Sequence, residues 1–224
     1  MPADPQEQGS NPASQTSGRT LDHAAPVYDL LAPLMTFGLE RGYRRRARAL
    51  LQLQGNEQVL DVGCGTGTLS REIARDLNPR QSKVVGVDAA AAMIEVARRK
   101  GSALTNLQFD AALAEQLPYD DHSFDCAVST FFFHHIEFTL KQRALAELRR
   151  TVKPGGRIVI VDVDVPSNPF GALCAWSGYW LFRQDEIREN IRGRLREAIH
   201  AAGFSSVQLA SRHSGYISIF MLHN

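Results

Sequence analysis

The chain has 224 residues, a formal charge of +1 and 22% charged residues, which suits one sizeable domain and gives no global field to gather nucleic acid. Cys64, Cys126 and Cys174 are odd in number, widely spaced and without a CxxC pair, which argues against a disulfide framework or a structural zinc and for a reduced, cytoplasmic protein. The start lacks a secretory pattern, and the longest apolar run, Phe170 to Phe182, is too short to span a bilayer.

Residues 1–20 are rich in Pro, Gln, Ser, Gly and Asn and nearly free of apolar side chains. They cannot bury enough surface to offset ordering and are expected to form a disordered tail. Residues 21–54 read as an N-terminal helical cap. Arg41, Arg44, Arg45 and Arg48 fall at i, i+3, i+4 and i+7, with Leu39, Tyr43, Ala47 and Leu50 opposite. That stripe reads first as a solvated face and second as an anion site or a peripheral contact with a membrane.

From residue 55 to 224, short β-rich runs alternate with helical stretches, the pattern of parallel βαβ units in a Rossmann-like, doubly wound α/β sheet. Strands are expected over 58–62, 83–87, 106–110, 124–130 and 157–161, and helices over 69–76, 91–100 and 141–152. Lys153-Pro154-Gly155-Gly156 stops the last of these. One further helix is expected over 184–202, where Ile187, Ile191, Leu195, Ala198 and Ile199 share a face and Gly203 suits a left-handed cap. Runs at 206–209 and 216–222 finish the chain. Residues 162–182, between strand five and that helix, carry both tryptophans with Phe170, Tyr179 and Phe182. They read as an aromatic-rich cap insertion.

The first strand runs into Asp61-Val62-Gly63-Cys64-Gly65-Thr66-Gly67, where glycines permit positive φ and close approach of a ligand, ahead of a helix N-terminus. The spacing is G-x-G-x-G and not the G-x-G-x-x-G of dinucleotide sites. Asp61 would repel a pyrophosphate but attract an ammonium, such as that of S-adenosylmethionine. Asp88 ends the second strand about twenty residues on, where a carboxylate takes ribose hydroxyls; its bland alternative is a helix cap.

Four segments in order, VLDVGCGTG at 59–67, VVGVDAAAAMIEVARRK at 84–100, AEQLPYDDHSFD at 114–125 and VKPGGRIVIVD at 152–162, resemble the class I S-adenosylmethionine-dependent methyltransferases, especially the ubiquinone and menaquinone biosynthesis C-methyltransferase branch. The resemblance implies a seven-stranded sheet with an antiparallel last strand. It assigns Asp61, Gly63, Cys64 and Gly65 to the methionine part of the cofactor, with Ser129 nearby, Asp88 to the ribose, and Ala89 and Met93 to the adenine surroundings. Where the family usually has Gly-Asp before A-E-x-L-P, this chain has Ala112-Leu113, leaving the adenine apolar contact with Leu113 and the Ala114 N–H. Tyr28, of a Tyr-Asp pair near the start, would close over the cofactor.

Methyl transfer needs alignment and exclusion of water more than a base. Should the acceptor need proton removal, His134 and His135 beyond strand four are the first candidates, and Asp162 and Asp164 the next; the alternative is that residues 131–136 only pack a helix start. Cys64 reads as a small loop residue and not a nucleophile. No histidine spacing suggests a metal. The expected activity is methylation, at carbon or oxygen, of a small apolar or aromatic acceptor. Competing readings are a nucleotide-dependent oxidoreductase, a non-catalytic binding protein on this fold, and a methyltransferase acting on a membrane lipid.

Overall fold

The structure is a computed structural model that describes residues 39–224. The expected tail, the first part of the helical cap and Tyr28 lie outside the described residues.

Helix α1 (Glu40–Leu51) buries Tyr43, Ala47 and Leu51, so the inward stripe ends on Leu51 and not Leu50, and Leu39 stays exposed. The arginine stripe is divided. Arg44 reaches Glu40 and Glu72, and Arg48 reaches Glu72 and Asp76, tying α1 to helix α2 (Thr68–Asp76). Only Arg41 and Arg45 of the four remain fully on the surface.

Strands β1 (Gln58–Val62), β2 (Lys83–Asp88), β3 (Leu107–Ala111), β4 (Phe124–Thr130), β5 (Val152–Val163), β6 (Ser206–His213) and β7 (Ile217–His223) form one sheet in the order β3-β2-β1-β4-β5-β7-β6. β7 runs antiparallel to both its neighbours, and the other pairings are parallel. The expected Rossmann-like fold is therefore present, with its topological switch between β1 and β4, the place where open parallel sheets gather ligands.

Alternate residues of each strand go to opposite faces. Leu60, Val85, Ile158 and Ile160 pack on α4 (Phe138–Thr151) and α7 (Arg194–Ala201). Val59, Val84, Val128, Val159 and Val161 pack on α1 and α2. Both sides being covered explains the near-continuous apolar strands. Helix α3 (Ala91–Gly101) covers the β2–β3 edge, where Ile94 and Ala97 meet Phe109.

Three expectations change. Lys153-Pro154-Gly155-Gly156 stops α4 as expected but already belongs to β5, where Val152 pairs with Phe124 across a register shift. The helix expected over 184–202 is two, α6 (Asp185–Ile191) and α7, because Gly193 takes φ 90° between them. The segment after β5 is helix α5 (Pro169–Phe182), capped by Asn168, whose Oδ1 accepts from Gly171 N at 2.7 Å. Its aromatic residues divide: Trp176 and Tyr179 pack on Ile187 and Ile191, whereas Phe170 and Trp180 are 62% and 68% exposed. Among the described residues no helix is long and apolar enough to cross a membrane.

Candidate active site

The carboxyl ends of β1 to β5 bring together most of the residues singled out in the sequence. Asp61 is almost fully buried there, 1% exposed. Ser70 Oγ, one turn into α2, donates to its Oδ2 at 2.5 Å, while Oδ1 has no partner among the described residues. Burial pushes the Asp61 carboxyl up to about 7, against the Ser70 hydrogen bond, with the Asp88 charge adding to the rise. A buried carboxylate with an open oxygen is costly alone and is relieved by a cationic donor. On adjacent β4, Ser129 follows the residue paired with Asp61, and its Oγ is likewise buried without a partner. The open Asp61 oxygen fits the ammonium end of an amino-acid-bearing ligand, whereas Ser129, one residue beyond Asp61's partner Val128, turns its side chain to the opposite face of the sheet.

The β1–α2 loop is held to β2 through Gly63 N and Cys64 N, which donate to Val87 O at 2.9 and 3.0 Å. Gly65 N donates to Asp88 Oδ2 at 2.9 Å, and Ala90 N to Asp88 Oδ1 at 2.9 Å. Asp88 thus ties down the loop and, through Ala90 N, holds the turn into α3, which is the cap reading weighed for it. Its orientation toward the crevice is fixed before any ligand arrives.

Gly63, Gly65 and Gly67 all have positive φ, as a tight loop here requires. The room at two of them belongs to the chain itself. A Cβ on Gly63 would stand 2.6 Å from Phe132, and one on Gly67 2.3 Å from Phe109. The sequence reading had left that room to a ligand.

Cys64 packs beside Phe109, Ile94 and Ala97, and burial, then the charges of Asp88 and Asp61, pushes its thiol well above the ordinary range. That suits a packing residue. Ala89 lies in the β2–α3 turn, and Met93 is buried against Ala90. The segment after β3 is drawn in by Ala112 N donating to Asp88 O at 3.1 Å. Leu113 forms an isolated bridge with Gln116, and Ala114 is buried.

Beyond β4, a short 3-10 turn, Phe133–His135, carries the two histidines. His134 Nδ1 lies 2.8 Å from Asp162 Oδ1. A carboxylate only accepts, so Nδ1 carries the proton and Nε2 is left as an acceptor. Asp162 is fully buried near the end of β5 and also accepts from Phe133 N and Val163 N, each at 2.7 Å, with Asn190 Nδ2 at 3.4 Å. So enclosed, it orients the imidazole and is not itself placed as a base. The His135 ring stacks against that of His134 with centroids 4.0 Å apart.

Asp164 is removed from the list of bases. It is buried and bound by Arg196 at 2.7 and 2.5 Å, by Arg212 and by Ser218, a network that fastens β5 to α7 and the β6–β7 hairpin. Lys141, fully buried on α4, donates to Ile136 O at 2.6 Å and to Glu189 at 2.7 Å, which anchors the histidine turn. Among the described residues no cluster suits a metal ion.

Several site residues escaped the sequence reading, Ser70 and Lys141 among them. Asn190 was hidden inside a helical stripe, though a polar residue beside Ile187 and Ile191 on a buried face was the available signal. Phe132 was indistinguishable from its neighbours in Phe131-Phe132-Phe133.

A family model described as a methyltransferase domain matches residues 59–156. The chain is 34% identical over 154 residues to the ubiquinone/menaquinone biosynthesis C-methyltransferase UbiE of Hahella chejuensis, covering 67% of this chain and 61% of that one. To the protein of the same name from Francisella philomiragia it is 30% identical over 217 residues, covering 87% and 85%. The chain thus spans about three fifths of the first relative's length and most of the second's. A solved S-adenosylmethionine-dependent methyltransferase from Aquifex aeolicus has the same fold, with TM-score 0.64 at 19% identity over 91% of this chain and 98% of that one.

Proposed function

Because the chain belongs to the class I S-adenosylmethionine-dependent methyltransferases and resembles their quinone C-methylating branch, we propose that it methylates a ring carbon of a small, hydroxylated aromatic acceptor of quinol type. The observation that carries this reading is the pairing of His134 with buried Asp162, beside a cofactor cradle at the same edge of the sheet.

When bound, S-adenosylmethionine supplies an electrophilic methyl group on a sulfonium. Asp61 would hold its ammonium end, and Asp88 its ribose. An aromatic ring becomes a carbon nucleophile once its hydroxyl is deprotonated, and His134 Nε2 would take that proton while Asp162 would stabilise the imidazolium. The activated ring carbon would accept the methyl that the cofactor supplies, a carbon–carbon bond replacing the carbon–sulfur bond. Loss of the ring C–H proton then restores aromaticity as His134 returns its proton to the oxygen, releasing one proton overall per methyl transferred. A base is wanted here because a neutral phenol carbon is a poor nucleophile. Helix α5, which follows β5 and exposes Phe170, Leu173 and Trp180, supports an apolar acceptor over a charged one.

The test is transfer of label from methyl-labelled S-adenosylmethionine to a panel of short-chain demethylated quinols. Label is expected on a ring carbon of at least one of them. No incorporation across the panel, with S-adenosylhomocysteine bound tightly, would favour a binding protein instead.

A further inference from the structure

Phe132 stands at the junction of the loop and the histidine turn, and the chemistry above does not use it. β4 leaves the sheet through Phe131, which has φ 55°. A bulky side chain takes that left-handed conformation only when its surroundings hold it. Here Phe131 N donates to Val161 O at 2.8 Å and its ring packs on Tyr43, centroids 5.6 Å apart.

The reversal separates three successive phenylalanines. Phe133 is buried in the core, whereas Phe132 stays partly exposed and lies against Gly63. Its Cβ, Cγ and Cδ2 are each 2.6 Å from where a Gly63 Cβ would be, so no side chain can come between ring and loop. Gly63 lies two residues after Asp61, with its open oxygen, and two before Gly65, whose N–H Asp88 holds. A ligand with a cationic amine at Asp61 and hydroxyls at Asp88 must carry its middle past Gly63 and Phe132.

We propose that the Phe132 ring discriminates a cationic sulfonium from a neutral thioether at this point, favouring the methyl-bearing cofactor over its demethylated product. The inference rests on the cofactor reading above. A ring face attracts a cation and is indifferent to the thioether left when the methyl departs. Because the positive charge fades along the reaction, the contact would act on cofactor exchange and would not lower the barrier, which it raises to the extent that it weakens in the transition state. A packing role would give a different result: loss of the ring would weaken both ligands alike.

The experiment is calorimetric titration of the full chain with S-adenosylmethionine and, separately, S-adenosylhomocysteine, without acceptor. Phe132→Leu is expected to weaken the first about five- to tenfold more than the second, while Phe132→Tyr keeps the wild-type ratio. If Phe132→Leu fails to fold, ring-fluorinated phenylalanines at position 132 preserve shape and should lower the ratio stepwise. Equal weakening of both ligands, or a ratio unmoved by fluorination, overturns the assignment of Phe132 alone. Binding of neither ligand by the wild-type chain overturns the cofactor reading and this inference with it.

Discussion

Cofactor affinity is expected to fall steeply as the pH drops below about 7, with Asp61 setting the midpoint. In the free chain burial raises its carboxyl to about 7, whereas an ammonium at the open Oδ1 requires the carboxylate. Below the midpoint, binding must expel a proton at a cost of about 1.4 kcal/mol per pH unit. From pH 7 to pH 5 the ionised fraction of a group with this pKa falls about 50-fold, so Kd should rise by a similar factor, about 2.3 kcal/mol. The ligand's own α-carboxyl and α-amino groups titrate at about 3.5 and 8, outside this window. Calorimetry with S-adenosylhomocysteine in two buffers of different ionisation enthalpy measures both Kd and the protons released, expected to approach one per ligand near pH 5. A flat Kd between pH 5 and 7 in a folded chain, or the same slope in Asp61→Asn, would refute the reasoning. The linkage has a second face. A carboxyl whose pKa is raised on folding stabilises the fold at pH below its unfolded value and loses that contribution as pH rises through its folded one. The difference from 3.8 to about 7 is roughly 3 units, an upper bound on the order of 4 kcal/mol. At pH 8, Asp61→Asn should therefore melt higher than the wild-type chain while binding cofactor more weakly.

Removing the proton acceptor with His134→Ala, or its orienting partner with Asp162→Asn, should lower methyl transfer by about 10²- to 10⁴-fold with S-adenosylhomocysteine affinity little changed in calorimetry; a parallel loss of binding would assign the pair to the fold. Asp164→Ala strands Arg196 and Arg212 around a vacated buried site and should reduce stability by about 3 to 5 kcal/mol in urea unfolding. Gly171→Ala places a Cβ 2.5 Å from the Gly215 carbonyl and should cost about 1 to 3 kcal/mol, with faster amide exchange confined to α5 and cofactor affinity retained.

What was legible in the sequence is what local chemistry encodes. The Asp61 to Gly67 loop, Asp88 and the alternation of strands with helices are short-range patterns, and the fold places them as read. What was not legible depends on distant partners. The stripe Ile187, Ile191, Leu195, Ala198 and Ile199 runs on through Gly193, because both halves bury the same side, so apolar spacing alone gave no sign of the break. His134 and Asp162 are 28 positions apart, and only the adjacency of β4 and β5 makes one the orienter of the other. Arg44 and Arg48 looked solvated because the acids that hold them, Glu72 and Asp76, lie on another helix.

Departures from local rules concentrate at one edge of the sheet. A partnerless buried carboxylate oxygen at Asp61, a partnerless hydroxyl at Ser129, a left-handed phenylalanine at 131 and a fully buried lysine at 141 each oppose folding when taken singly. These four lie at the ends of β1 and β4 and the turn beyond, while Asn106 before β3, Gln184 before α6 and Arg212 on β6 also carry open buried atoms elsewhere. Asp164, by contrast, is equally buried but fully paired, as a residue serving the fold alone should be. The contrast between these two acids separates binding from structure by physical criteria that need no relative for comparison. Asp61 keeps an unsatisfied oxygen that a ligand can complete, and Asp164 keeps none. On that criterion the site lies over β1 and β4, and the arginine network beneath α7 belongs to the scaffold that holds it in place.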